Sequence, residues 1–126
     1  MLGLVRVMAT LPAADLERAK SFYADRLGFK PDEETSEELR YSCADGSQFG
    51  VFKSHGAASG DHTQMGFEVD SLEATVKELR DNGVVFEEYD LPGFKTINGI
   101  AEIEGERGAW FKDSEGNLLA IAERTT

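Results

Sequence analysis

The chain has 126 residues, 40% hydrophobic and 29% charged, with 24 acidic against 13 basic residues and a formal net charge of −11. That length suits one compact domain, and that acidity disfavours nucleic acid and anionic membranes, which are held through Lys and Arg. A single cysteine, Cys43, excludes an internal disulfide and a multi-cysteine metal centre.

No apolar run approaches the ~20 residues of a membrane span. The opening residues, MLGLVRVMATLPAADLERAK, lack a charged start followed by a clean apolar core. No signal peptide is therefore expected, and a cytoplasmic location is.

The first segment, LVRVMATL (residues 4–11), alternates with period two, so Val5, Val7 and Ala9 are expected to face a helix. DLERAKSFYADRLGF (15–29) supplies that helix. Asp15 suits its N-cap and Gly28 the left-handed position after its end, while Leu16, Ala19, Tyr23 and Leu27 form the apolar stripe. Phe22 joins Tyr23 as expected core. Strands are predicted near 30–35, at LRYSCA (39–44) and at QFGVFK (48–53), with ADGS turning between the last two. KSHGAASGDHT (53–63) is small and polar, as a linker is.

The same order then recurs. QMGFEV (64–69) alternates, with Met65, Phe67 and Val69 toward a helix. DSLEATVKELRDNGV (70–84) is the second helix, with Asp70 as its expected cap, Glu73 completing a capping box, and Gly83 near its end. VVFEEY (84–89), a segment within 100–112, and NLLAIAE (117–123) are the remaining strands, the last two joined by DSEGN. The sequence thus predicts an α+β fold of two tandem βαβββ modules within a single domain, 1–126. Module one is 1–53, the linker 54–63 and module two 64–126.

Three stretches, DLERAKSFYADRLGF, GFEVDSLEATVKELRDNGV and AWFKDSEGNLLAIAE, occur in an order that resembles the vicinal oxygen chelate superfamily. That group includes glyoxalase I, extradiol dioxygenases, and fosfomycin- and bleomycin-resistance proteins. The resemblance covers nearly the whole chain. It implies strands curled into a cup-shaped mixed sheet with helices on the outside. In metal-dependent members it also implies four ligands, His, Gln or Glu, from the first and fourth strands of each module. Those positions fall here at Met8, Gly50, Gln64 and Ala120. Glycine and alanine offer no donor atom, a thioether is soft, and a lone Gln is a weak neutral donor. Shifting the register by one residue offers no better set. No metal and no other cofactor is expected.

Without a metal, the cup is expected to hold an organic molecule. Met8, Tyr41, Phe52 and Trp110 are the expected lining, with Trp110 opposite Ala120 on its hairpin and small residues at Gly50 and Ala120 leaving volume. Arg6, Thr10, Gln48 and Gln64 are the polar candidates. Glu68 is the carboxylate expected on the Gln64 face, and the residue a metal-free acid–base enzyme would use. Phe94 and Lys95 lie on a long 89–102 connection that reads as a lid. His55 and His62 belong to the linker, and Cys43 reads as an inert thiol. Glu102, Glu104 and Glu106 alternate and are expected along one face of an extended segment.

The leading functional expectation is a metal-independent small-molecule binding protein, most similar to the bleomycin-resistance type, sequestering an organic, cationic or aromatic ligand. Acidity favours a cation. The alternatives are a glyoxalase-like metal-dependent lyase, isomerase or dioxygenase, and a metal-free acid–base enzyme. The expected partners are the small molecule and a second copy of the chain in a homodimer, with neither nucleic acid nor membrane.

Overall fold

A computed structural model of the protein describes residues 1–124; the last two residues assigned to module two, Thr125 and Thr126, lie outside the described residues. The first half contains β1 (Ala9–Ala13), α1 (Leu16–Leu27), β2 (Glu33–Glu34), β3 (Glu38–Ser42) and β4 (Gln48–Lys53). The second contains β5 (Thr63–Val69), α2 (Leu72–Asp81), β6 (Asp90–Leu91), β7 (Phe94–Lys95), β8 (Ile100–Ile103), β9 (Glu106–Lys112) and β10 (Leu118–Glu123).

Each half builds one four-stranded mixed sheet, in the orders β1-β4-β3-β2 and β5-β10-β9-β8. In both, the strand before the helix pairs in parallel with the last strand of its half. The two βαβββ modules are therefore present, and β6 and β7 form a separate two-stranded hairpin.

The helices follow local chemistry. The Asp15 side chain accepts a hydrogen bond from the Arg18 N–H, and Gly28 closes α1 at φ 79. For α2 the cap is Ser71, whose hydroxyl accepts from the Ala74 N–H; the expected Asp70 lies one residue too early and stays exposed. Tyr23 and Ala19 on α1 and Leu72 on α2 are fully buried, and Val76 and Leu79 on α2 are buried beside them. The helix-facing sides of both sheets join them in one core, which includes Leu11, Val51, Ala109, Phe111, Leu119 and Ile121.

A polar clamp fastens the two modules together. The Tyr23 hydroxyl donates to Asp113 Oδ2 at 2.7 Å, and Asn117 Nδ2 donates to the same oxygen at 2.9 Å and to the Pro12 carbonyl at 2.9 Å. Asp113 Oδ1 accepts from the backbone N–H groups of Glu115 and Asn117. Beside it, Arg18 on α1 pairs with Glu115 at 2.7 Å. Burial and the neighbouring Asp113 push the Tyr23 hydroxyl well above its ordinary value, so it stays a neutral donor.

Three predicted strands differ from those observed. The first begins at Ala9, so Val5 and Val7 are exposed instead of facing α1. Its ladder partner β4 starts at Gln48, and among the described residues no strand pairs with the residues further upstream. Residues 84–89 make only an isolated bridge, Phe86 to Phe111, because β8 already occupies the same edge of β9 from Glu106 to Ala109. The 100–112 segment is a hairpin, turned at Glu104 (φ 52) and Gly105 (φ 85). Glu102, Glu104 and Glu106 consequently do not share one extended face.

Candidate binding face

Strand parity decides which side chains point away from the helices. In module two, Leu119, Ile121, Ala109 and Phe111 are core, so Ala120, Ala122, Gly108 and Trp110 lie on the opposite face. Gly66 pairs with Ala120 and Glu68 with Ala122, which brings both onto that face. Gln64 falls at a bulge where the β5–β10 register shifts; its side-chain oxygen is buried without a hydrogen-bond partner.

The result is a floor of small residues with one large wall. Trp110 stands opposite Ala120, as its hairpin predicts, and its indole N–H donates to Thr63 Oγ1 at 3.1 Å. A Cβ added at Gly108 would lie 3.3 Å from the indole Cη2, so the ring lies over that glycine. Phe94 packs edge-on to the indole at 5.2 Å and Tyr89 at 6.1 Å. Glu68, Gly108, Trp110 and Ala122, with Ala101, Ile103, Glu104 and Glu106, surround a hollow of about 540 Å³. Glu68 and Gln48 meet across a second hollow of about 510 Å³ at the module junction, with Phe49, Met65 and Phe67.

The 89–99 excursion is tied down by its own polar contacts. Glu88 Oε1 accepts from the Thr96 hydroxyl at 2.5 Å and the Gly99 N–H at 3.0 Å, which hold its carboxyl below the ordinary range. The Tyr89 N–H donates to Thr96 Oγ1 at 2.7 Å. These bonds seat Tyr89 and Phe94 against Trp110. Lys95 instead lines a hollow beside α2, apart from Trp110.

Module one's equivalent face is polar and filled. Gly50 lies between Thr10 and Arg40 on neighbouring strands. Arg40 Nη2 donates to Glu38 Oε1 at 3.0 Å, and a Cβ at Gly50 would sit 2.9 Å from Glu38 Oε2. The volume expected above Gly50 is therefore occupied by the Glu38 carboxylate. Phe52 lies on this face, partly exposed, with Glu38 as its cross-strand neighbour.

Tyr41 does not belong to the face at all. It is fully buried, stacked 5.5 Å from Tyr23 and 4.9 Å from Phe49, and burial pushes its hydroxyl up to about 12. On β3 it shares parity with the core residue Leu39, whereas Arg40 and Ser42 point the other way. Met8 precedes β1 and is half-buried, and Arg6 reaches the Gly46 carbonyl at the β3–β4 turn. Glu38, Arg40 and Tyr89 are the face residues that the sequence reading missed. A charged residue alternating with Leu39 and Tyr41 was the available signal for Arg40.

The residues at the family's metal positions do not fit a metal. Gly50 and Ala120 bring no donor, and their strand pairing leaves no register in which one appears. Among the described residues, no group of three His, Cys, Asp or Glu side chains is arranged to hold an ion. His55 and His62 are exposed in the linker, and burial pushes the Cys43 thiol up, away from the reactive thiolate. Glu68 is exposed to solvent at the rim of this face.

Comparison with known proteins agrees with this architecture. Residues 3–121 match the family model described as Glyoxalase/Bleomycin resistance protein/Dioxygenase superfamily. The chain belongs to this superfamily. The structure of UcmS2 superposes with a TM-score of 0.72 at 20% identity, covering 94% of this chain and 98% of that one. A bleomycin-binding protein complexed with bleomycin superposes at 0.72 and 18% identity, covering 95% and 98%. TnmS3, an antibiotic binding protein from Streptomyces sp. CB03234, gives 0.68 at 18% identity over 99% and 100%. At these identities the superfamily member shares their fold. No curated protein matches the sequence. Among the described residues, no helix is long and apolar enough to cross a membrane.

Proposed function

We propose that this superfamily member is a metal-independent binding protein that sequesters a flat organic molecule on the module-two face. The observation that carries this reading is the hollow of about 540 Å³ walled by Trp110, floored by Gly108 and Ala122, and edged by Glu68, Glu104, Glu106 and the Arg107–Glu123 ion pair. A flat ring can lie against such a floor and stack on the indole. The carboxylates favour a ligand that also carries positive charge, through direct pairing and cation–π contact. Similarity to a bleomycin-binding and an antibiotic binding protein supports sequestration over turnover. A cytoplasmic homodimer is the working assembly.

Trp110 is the only tryptophan, so its fluorescence reports directly on the face. A screen of planar cationic compounds should give hits that quench or shift it. Trp110→Ala, followed by titration calorimetry because it lacks the fluorophore, should weaken those hits about tenfold, the loss of one stacking contact of about 1.5 kcal/mol. Hits that bind this variant unchanged place the ligand elsewhere. Stoichiometric transition metal in protein purified without chelator overturns metal independence.

A further inference from the structure

A hollow of about 700 Å³ lies between α2 and residues 95–100. It is separate from the hollow that Trp110 walls, and Arg107 is the one residue lining both. Four of the chain's 13 basic residues surround it: Lys77, Arg80, Lys95 and Arg107. A protein of net charge −11 thus gathers cations around one concavity. Ion pairing sorts them. Arg107 pairs with Glu73 and Glu123, and Lys77 pairs with Asp81 at 3.1 Å. Among the described residues, Arg80, Lys95 and the lining carboxylate Glu102 form no ion pair. Glu88, the other carboxylate near Arg80, is engaged by the Thr96 hydroxyl and the Gly99 N–H. Two cations therefore stand against one carboxylate.

Arg80 is held in place by the chain itself. Its Nη2 donates to the Asn98 carbonyl at 2.9 Å, and its guanidinium carbon stands 5.4 Å from the centre of the Phe86 ring. A Cβ at Gly99 would fall 2.9 Å from that nitrogen, so the missing side chain makes room for the guanidinium against the turn. The remaining N–H donors of the fork are left for another acceptor. An arginine positioned in this way loses little freedom when it forms paired hydrogen bonds. Around these charges the lining is apolar. Val76 is buried, Ile100 is half-buried, and Ile97 is 70% exposed, a large apolar side chain with no cover.

We infer that this hollow is a second binding site, and that it takes a small organic monocarboxylate. The carboxylate pairs with Arg80 and Lys95, and the apolar body covers Val76, Ile97 and Ile100. A planar guanidinium matches a carboxylate through two parallel hydrogen bonds. The surplus of one positive charge suits a monoanion, and Glu102 opposes a phosphate dianion. The negative charge of the whole chain does not prevent binding. At physiological salt, charges more than about 8 Å away are largely screened, whereas the two cations act at contact. The site is independent of what binds beside Trp110.

The test titrates 2-naphthoate into the intact protein and follows its backbone amides by NMR. Resonances of residues 76–81 and 95–100 should shift together and saturate. Lys95→Gln should weaken binding about threefold, and Glu102→Gln, which removes the opposing carboxylate, should tighten it by about the same factor. Arg80→Gln should weaken it about tenfold. Because Arg80 also supports the Asn98 carbonyl, the Lys95 and Glu102 variants decide; both side chains are exposed. A Glu102→Gln variant that binds no more tightly, or a Lys95→Gln variant that binds as well as the intact protein, overturns the inference. 2-Naphthamide, which has the same shape without the charge, should leave these resonances in place, and equal binding by the amide overturns the inference as well. Displacement of naphthoate by an equal concentration of inorganic phosphate does the same, since the site then reads charge alone. So do shifts confined to Trp110 and its neighbours, or shifts that never saturate. Each of these failures leaves the Trp110 face standing, because that face is judged by planar cations and indole fluorescence.

Discussion

The two modules share a topology, but their helix-distal faces have taken opposite courses. In module one, Gly50 lies beneath an ion pair, and the Glu38 carboxylate fills the space a side chain would need. In module two, the position paired with Ala120 is Gly66, where an added Cβ would meet nothing closer than 3.7 Å. One face is closed by charge; the other stays open beneath an indole. A duplicated scaffold therefore leaves each copy free to change its face, provided the shared core and the clamp between modules are kept.

Both faces hang on that clamp, so cutting it should have the largest effect. Asp113→Ala leaves the Tyr23 hydroxyl, the Asn117 amide and two backbone N–H groups without their acceptor. Urea unfolding should show a loss of about 3 kcal/mol. Asp113→Asn, which keeps an acceptor oxygen, should lose less. Equal losses would mean that a single retained acceptor oxygen restores nothing and that the clamp needs both carboxylate oxygens.

Acid should loosen the clamp next. Burial alone would raise the Glu115 carboxyl, but hydrogen bonds from Arg18, the Asp15 N–H and the Ser114 hydroxyl outweigh it and hold the group at about 2. Its unfolded value is about 4.3. The folded value is the lower one, so this stabilisation is complete above about pH 4.3 and fades as pH falls toward 2. With Arg18 partly exposed, about 1–2 kcal/mol is at stake. Glu115→Gln should flatten that part of the stability–pH curve, while leaving a slope from the other carboxylates.

The smallest effects separate the two faces most directly. Gly50→Ala must displace the Glu38 carboxylate, and should cost about 0.5–1 kcal/mol. Gly66→Ala meets no obstacle and should stabilise by about 0.5 kcal/mol, as ordinary strand residues do over glycine. Adding Glu38→Ala to Gly50→Ala should recover most of the first loss. If both glycine variants shift the urea midpoint the same way, the faces are less different than their packing shows.

Much of the fold was legible because it rests on local periods. Tyr23 and Leu72 declared their helix faces, and Ala120 its partner Trp110, through spacing alone. Tyr41 was misplaced by chemistry: an aromatic hydroxyl suggested a binding face, while its parity with Leu39 pointed to the core. The hairpin at Glu104–Gly105 was hidden because alternating glutamates look like one uninterrupted strand. The Glu38 carboxylate over Gly50 was beyond reach, since its position depends on which strands lie side by side. So was the seating of Tyr89 on Trp110, which depends on the Glu88–Thr96 bonds.

The Tyr23–Asp113 bond joins residues ninety apart in sequence. During synthesis, α1 emerges long before its acceptor exists, and its buried hydroxyl has nowhere to donate until the final hairpin has left the ribosome. The amino-terminal half must then wait, partly solvated, for the carboxyl-terminal half to complete it. Truncation near the end of the gene should for that reason injure the beginning of the protein as much as its end.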